Sequence, residues 1–318
     1  MKANAILFSL CIGWVILLPS CADTTTVRPL LGDWIVNSAL DGVARSAAVT
    51  FTIGNRAYVG TGLDNKNQSL RDMWRYSPEQ NTWTQVANFA GEARSEAVAF
   101  AVNTKGYIGL GLANNGVLLR DFYEYDPNLN AWKRVTDFGG SARCSATGFS
   151  TGAKGFVSLG FDGQEQRDLW AYEPSADTWI RKADFGGSAR VGAIAFIISN
   201  LAYIGTGSTQ TVNQNDFWVY DPVKDVWTQR RDVPDTAFPR AYGVGFVINR
   251  IGYLATGSSG SSIWAYNPGD DSWTAKAVFE GASRKKAVGF AIGSKGYVTT
   301  GESGSARFDD LWAFDSTY

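Results

Sequence analysis

The chain of 318 residues contains no histidine. That removes Ser-His-Asp and Cys-His catalysis, histidine-ligated zinc, iron or copper, and the usual general base near neutral pH. Cysteine is nearly absent too, with Cys11, Cys21 and Cys144 as the full set. The first two fall in the N-terminal leader, so the folded part holds one cysteine and no internal disulfide. Cys144 follows an arginine that favours a thiolate, yet a lone cysteine reads first as a small packed residue. Net charge is also missing: 29 Lys and Arg face 30 Asp and Glu, without a long basic run. A nucleic-acid-binding face is therefore not expected. No phosphate-binding glycine loop precedes a helix, and Asp64-Asn-Lys-Asn67 lacks the spaced carboxylates of a calcium loop. No metal and no cofactor is expected.

What is present begins with a leader. Lys2 is followed by an apolar run from Ala5 to Leu18, too short to span a bilayer comfortably and typical of an export signal. It ends in Leu18-Pro19-Ser20-Cys21, which resembles the bacterial lipobox. The expectation is a lipoprotein signal peptide over 1–20, a lipidated Cys21 with a polar tether over 21–31, and a folded domain over 32–318. Acylation of Cys21 would hold the protein on a membrane, each buried CH₂ contributing about 0.8 kcal/mol.

The folded part is one pattern repeated six times. An arginine opens an Ala/Val/Phe strand, as in Arg45-Ser-Ala-Ala-Val-Thr-Phe51, and a tight turn leads to Tyr-x-Gly-x-Gly (Tyr58, Gly60, Gly62). A polar loop follows, then Asp72-x-Trp74-x-Tyr76-x-Pro78 and an Asn-Thr-Trp83 strand. The arginines recur at 45, 94, 143, 190, 240 and 284. A period near fifty with four strands per unit predicts an all-β, six-bladed β-propeller of four-stranded blades. Trp34 precedes the first arginine, and the last unit ends without an outer-strand tryptophan. The segment Gly32–Val36 is therefore expected to complete the sixth blade and remove the open edges. In the second unit, Gly106 is expected to supply the positive φ of the Asn103–Gly106 turn.

These signposts resemble kelch repeats, and with the lipobox the chain is similar to bacterial kelch lipoproteins. The fit is imperfect: the paired glycines of kelch units are split here, as in Gly60-Thr-Gly62, and the fifth unit has Ser262 where the others carry aspartate. The resemblance implies an exported monomer in the cell envelope, an outer-membrane lipoprotein that binds a glycan, an acidic peptide or a protein partner. A non-hydrolytic sugar epimerase or mutarotase resembling N-acetylneuraminate epimerase, or a structural envelope component, are the other readings. Copper chemistry of the galactose oxidase kind is excluded by the missing histidines.

Whatever recurs in every blade should hold blades together, because ligands rarely have sixfold symmetry. Phe51, Phe100, Phe149, Phe196, Phe246, Phe290 and the tryptophans read as inter-blade packing. Arg45, Arg94, Arg143, Arg190, Arg240 and Arg284 admit two readings. They pair with the recurring Asp72, Asp121, Asp168, Asp216 and Asp310, or they ring the channel mouth as an anion-binding collar. Some kelch domains place arginines there to hold acidic peptides. Two residues beyond each arginine the chain varies: Ala47, Glu96, Ser145, Gly192, Tyr242 and Lys286. By strand alternation these share a side with the core Val and Phe, at the end nearest the mouth. Glu96, Tyr242 and Lys286 beside the arginines form the best candidate pocket. For an epimerase, Glu96 with a raised pKa is the candidate acid–base, with Glu165 and Glu302 as loop alternatives. The amide-rich loops Asp64–Ser69, Asn114–Gly116, Gly163–Gln166 and Gln210–Asn215 suit carbohydrate hydroxyls and should open on the arginine face.

Overall fold

The computed structural model describes residues 31–210 and 212–317; the expected signal peptide over 1–20 and the expected lipidation site at Cys21 lie outside them. Six four-stranded antiparallel sheets stand around one axis, each sheet a blade. Blade 1 runs from the axis outward as Val49–Ile53, Arg56–Gly60, Met73–Ser77 and Thr82–Val86. In blade 6 the outermost strand is Asp33–Asn37, paired antiparallel with Leu311–Asp315, with Trp34 opposite Phe314. The expected closure by the N-terminal strand is therefore what the fold uses.

Blades pack through aromatic rings. Phe51 stacks on Tyr58 of its own blade at 5.0 Å and reaches Tyr125 of the next at 6.3 Å. The next blade makes room by having no side chain at the contact. A Cβ on Gly106 would lie 2.2 Å from the Phe51 ring, and Gly155, Gly252 and Gly296 receive Phe100, Phe196 and Phe246 in the same way. This corrects the expectation for Gly106. It sits within the strand Lys105–Gly109, and the left-handed residue of that turn is Asn103, at φ 54°. Gly106 is glycine because a neighbour's ring occupies its Cβ position.

At the periphery each blade is tied to the previous one by hydrogen bonds. The Trp132 indole donates to the Ala87 carbonyl at 3.0 Å, and the Ala87 amide donates to the Asn130 carboxamide at 2.8 Å. The Tyr125 hydroxyl holds that Asn130 oxygen in place at 2.8 Å. Trp83, Trp179, Trp227 and Trp273 repeat the indole contact.

Near the axis the recurring arginine does the corresponding work. Arg45 forks onto Asp72 at 2.7 and 2.6 Å, and also donates to the Thr61 and Val43 carbonyls. Thr61 begins the loop between the second and third strands and Asp72 ends it, so one guanidinium pins both ends of that loop. Arg94, Arg143, Arg190 and Arg284 repeat the arrangement with Asp121, Asp168, Asp216 and Asp310. The second carboxylate oxygen also takes the indole N–H of Trp74, Trp170, Trp218 and Trp312. Each arginine's own carbonyl accepts the amide of a glycine in the preceding blade, from Gly62 to Arg94 at 2.8 Å round to Gly301 and Arg45 at 2.8 Å.

Blade 5 breaks the pattern. Arg240 is fully buried but faces only neutral acceptors: the Thr256 and Ser262 carbonyls at 2.9 Å, Phe238, Ala237 and the Ser262 hydroxyl. Burial without a carboxylate pushes its pKa down to about 10. The Trp264 indole N–H, which the missing aspartate would have satisfied, has no partner. Ser262→Asp is expected to stabilise the fold by about 1–2 kcal/mol, by giving both groups a charged acceptor. Thermal unfolding checks this: the melting temperature should rise by a few degrees, and a fall would mean that the Ala237 carbonyl cannot yield its place.

Candidate functional site

The six arginines do not line the mouth of the channel. They are 0–2% exposed, and their N–H groups are committed to aspartates and carbonyls within the blades. Rings cover several of them, Phe89 lying 4.8 Å from the Arg94 guanidinium and Phe138 5.2 Å from that of Arg143. Of the two readings of the arginines, the pairing with Asp72, Asp121, Asp168, Asp216 and Asp310 is the one the fold uses, and the anion-binding collar is not. A guanidinium with so many short acceptors has no reason to leave them for a ligand.

Above the arginines lies the variable position, and here the structure builds something alternation did not foresee. Ala47, Glu96, Ser145, Gly192, Tyr242 and Lys286 all have positive φ, between 52° and 62°. Left-handed backbone costs a non-glycine residue about 1 kcal/mol or more, so something must hold it. The cause is a closed ring of backbone hydrogen bonds. The Glu96 amide donates to Ala47 at 3.0 Å, Ser145 to Glu96 at 3.0 Å and Gly192 to Ser145 at 3.3 Å. Tyr242 donates to Gly192 at 2.8 Å, Lys286 to Tyr242 at 3.0 Å and Ala47 to Lys286 at 2.9 Å, which closes the circle. The left-handed turn breaks strand alternation, so these side chains leave the core side and point into the mouth.

They line a hollow of about 160 Å³, floored by Ala48, Ala97, Ala146, Ala193, Gly243 and Ala287. A space of about 190 Å³ continues below, between inner strands that present mostly Ala and Gly to the axis. Large and small residues are arranged so that two side chains lie across their neighbours. Glu96 passes over Ala47 to meet the Lys286 ammonium at 2.5 Å, and its other oxygen takes the Ser145 hydroxyl. The Tyr242 ring covers Gly192, where an added Cβ would sit 2.8 Å from it. The Lys286 ammonium lies 5.1 Å from the centre of the same ring.

Charge in the hollow is therefore paired. Burial pushes the Glu96 carboxyl up, but Lys286, with Ser145 and Cys144, more than reverses this and holds it below its ordinary value. The expectation of a raised pKa, needed for Glu96 to act as a general acid, is corrected: it is an ion-paired carboxylate. Burial likewise pushes Lys286 down, and Glu96 overrides it to leave the ammonium above its usual pKa. Cys144 is buried beneath, its thiol pushed up to about 11 by burial and by Glu96, so it packs as a neutral thiol.

The interstrand loops do open on the arginine face, pinned by the arginines as described. Several of their amides are occupied by neighbouring loops. Asn114 accepts the Ser69 amide at 2.6 Å, Asn67 accepts from Arg307 at 3.0 Å, and Asn213 donates to the Pro239 carbonyl at 3.1 Å. Glu165 stands in the blade 3 loop and Glu302 in the blade 6 loop; neither lines the central hollow. Glu302 is held by the Ser46 hydroxyl at 2.8 Å and by Arg307 at 3.2 Å.

Comparison with known proteins agrees with the architecture. The Kelch motif family model matches residues 44–90, which is the first unit. The other five units repeat its arginine and the Gly62 position, and four of the five carry a tryptophan at the Trp74 position. The solved structure of YjhT is similar over 86% of this chain and 95% of that one, with a TM-score of 0.73 at 15% identity. At that identity the likeness establishes the fold alone. No curated protein matches the chain.

Acid should loosen this centre. Burial raises Asp72 and Asp168, but the Arg45 and Arg143 forks and the indoles bring both below 3.8, and Glu96 also lies below its ordinary value. A lowered folded pKa contributes stability that is complete above the unfolded value, near pH 4, and is lost as pH falls through the folded value. The melting temperature should hold from pH 8 to about pH 5 and drop steeply below about pH 4. Asp168→Asn should start lower and show a shallower drop; a melting temperature unchanged at pH 3 would contradict the arrangement.

Proposed function

We propose that this kelch-repeat β-propeller is a binding module that takes one sugar unit of a glycan in the hollow at its mouth. The observation that carries the reading is the departure from sixfold repetition at a single ring of positions, where the hollow opens. Everything that recurs is consumed in holding blades together. What varies presents a phenol ring, a hydroxyl and a carboxylate–ammonium pair to one small space. An aromatic face with mixed donors and acceptors, and with no free net charge, matches a polyhydroxylated ring better than an acidic peptide. The size agrees: about 160 Å³ is below the range of drug-sized pockets and suits one ring. The buried arginines withdraw the support an acidic-peptide collar would have had.

Saturation-transfer NMR against a panel of neutral and acidic sugars tests the reading. Contact should appear for at least one sugar and weaken about tenfold or more in Tyr242→Ala at an unchanged melting temperature. Contact that survives Tyr242→Ala and Glu96→Gln together would place the ligand elsewhere.

We also propose that the module works at the cell envelope, tethered through Cys21. The support is the Leu18–Cys21 lipobox-like sequence after an apolar run. Metabolic fatty-acid labelling in a bacterial host should mark the protein and be lost in Cys21→Ser; equal labelling of both sinks the proposal.

A further inference from the structure

The rim around the mouth is uneven. In blade 5 the loop between the second and third strands covers only residues 256–263, against 61–72 in blade 1 and 300–310 in blade 6. This is also the blade whose loop has lost its aspartate. Beside the short loop, between blades 5 and 6, lies a second hollow of about 200 Å³, lined by Ser258, Ser283, Lys285, Glu302 and Ser303. It adjoins the central hollow along the chain, because Lys285 faces one and Lys286 the other.

Its hydrogen-bonding capacity is lopsided. Glu302, the one carboxylate, takes Ser46 and Arg307 on Oε2, turns Oε1 toward Lys285, and is only 12% exposed. Lys285 is 45% exposed, with its ammonium 3.8 Å from Glu302, beyond hydrogen-bonding reach. The Ser258 oxygen accepts from the Ala241 amide and from Asn213, which leaves its own proton to donate. What faces the hollow is thus an ammonium and the Ser258 hydroxyl, while the one carboxylate is shared between two cations, Lys285 and Arg307, which leaves one positive charge in excess. Such a set selects an oxyanion.

We infer that this hollow is a second subsite, which holds a carboxylate-bearing sugar unit linked to the unit in the mouth. The inference rests on the glycan reading above and gives that ligand a direction and a charge. The ligand runs from Tyr242 outward over the shortened blade 5 loop, and its acidic group meets Lys285. Charge in the mouth is already paired, so discrimination between acidic and neutral glycans falls to this outer hollow.

A printed array of neutral glycans, carboxylated glycans and acidic peptides, probed with the full chain and with Lys285→Ala and Lys285→Glu, tests it. Lys285 is 45% exposed, so Lys285→Ala should keep the wild-type melting temperature; Lys285→Glu sets a like charge beside Glu302 and is compared below its own melting temperature. The expected result is binding to carboxylated glycans of two or more units, weakened about fivefold in Lys285→Ala and further in Lys285→Glu, and lost in Tyr242→Ala. Binding to neutral or single-unit glycans that ignores Lys285 overturns the subsite and leaves the mouth reading standing. Binding to acidic peptides alone, or to nothing, overturns both.

Discussion

The buried arginine at the head of each inner strand is the contact on which the rest depends. A guanidinium out of water is costly unless every N–H finds an acceptor. Here five of the six meet a bidentate carboxylate and two or more carbonyls, and the sixth meets carbonyls and a hydroxyl. The same residue gathers the start and end of its own loop, lies in four blades against a ring from the preceding connection, and offers its carbonyl to the previous blade. It therefore couples loop shape, blade contact and the entry of the chain into the channel. Its repetition explains why the Gly62 position recurs at a fixed offset from it and why an aspartate closes the loop in five of the six blades.

With the arginines committed, the mouth is left to the residues two positions further on. The ring of six backbone hydrogen bonds there uses every amide and carbonyl and holds the backbone left-handed. Side-chain identity is then free to vary without loss of the ring. Alanine and glycine stand where a neighbour's long side chain must cross, and glutamate, lysine, serine and tyrosine share the space that remains. A rigid symmetric scaffold thus carries an asymmetric set of side chains, which is the arrangement recognition needs.

Much of this was legible in the sequence. Periodicity gave six blades, and the unpaired Trp34 gave the closing strand, because one tryptophan without a unit must belong to another. The variable trio Glu96, Tyr242 and Lys286 was found by the same logic, from variation against a constant background. The errors share one cause. Gly106 looked like a turn residue, and Glu96 looked like a carboxyl with a raised pKa. Both readings depended on what stands across a blade boundary, and a neighbour in space from another repeat leaves no mark beside the residue in the chain. The outer hollow was missed although its signal was present: the fifth loop is short, and a shortened loop in a ring leaves a gap.

By itself the sequence determined the repeat, the number of blades, the closure of the ring and the absence of histidine chemistry. These follow from composition and period, which are local or strictly periodic properties of the chain. Only the tertiary structure decided which charges are buried and which are free. The Asp72 that satisfies Arg45 and the Lys286 that neutralises Glu96 lie far away along the chain, and ionisation responds to distances of a few ångströms in space.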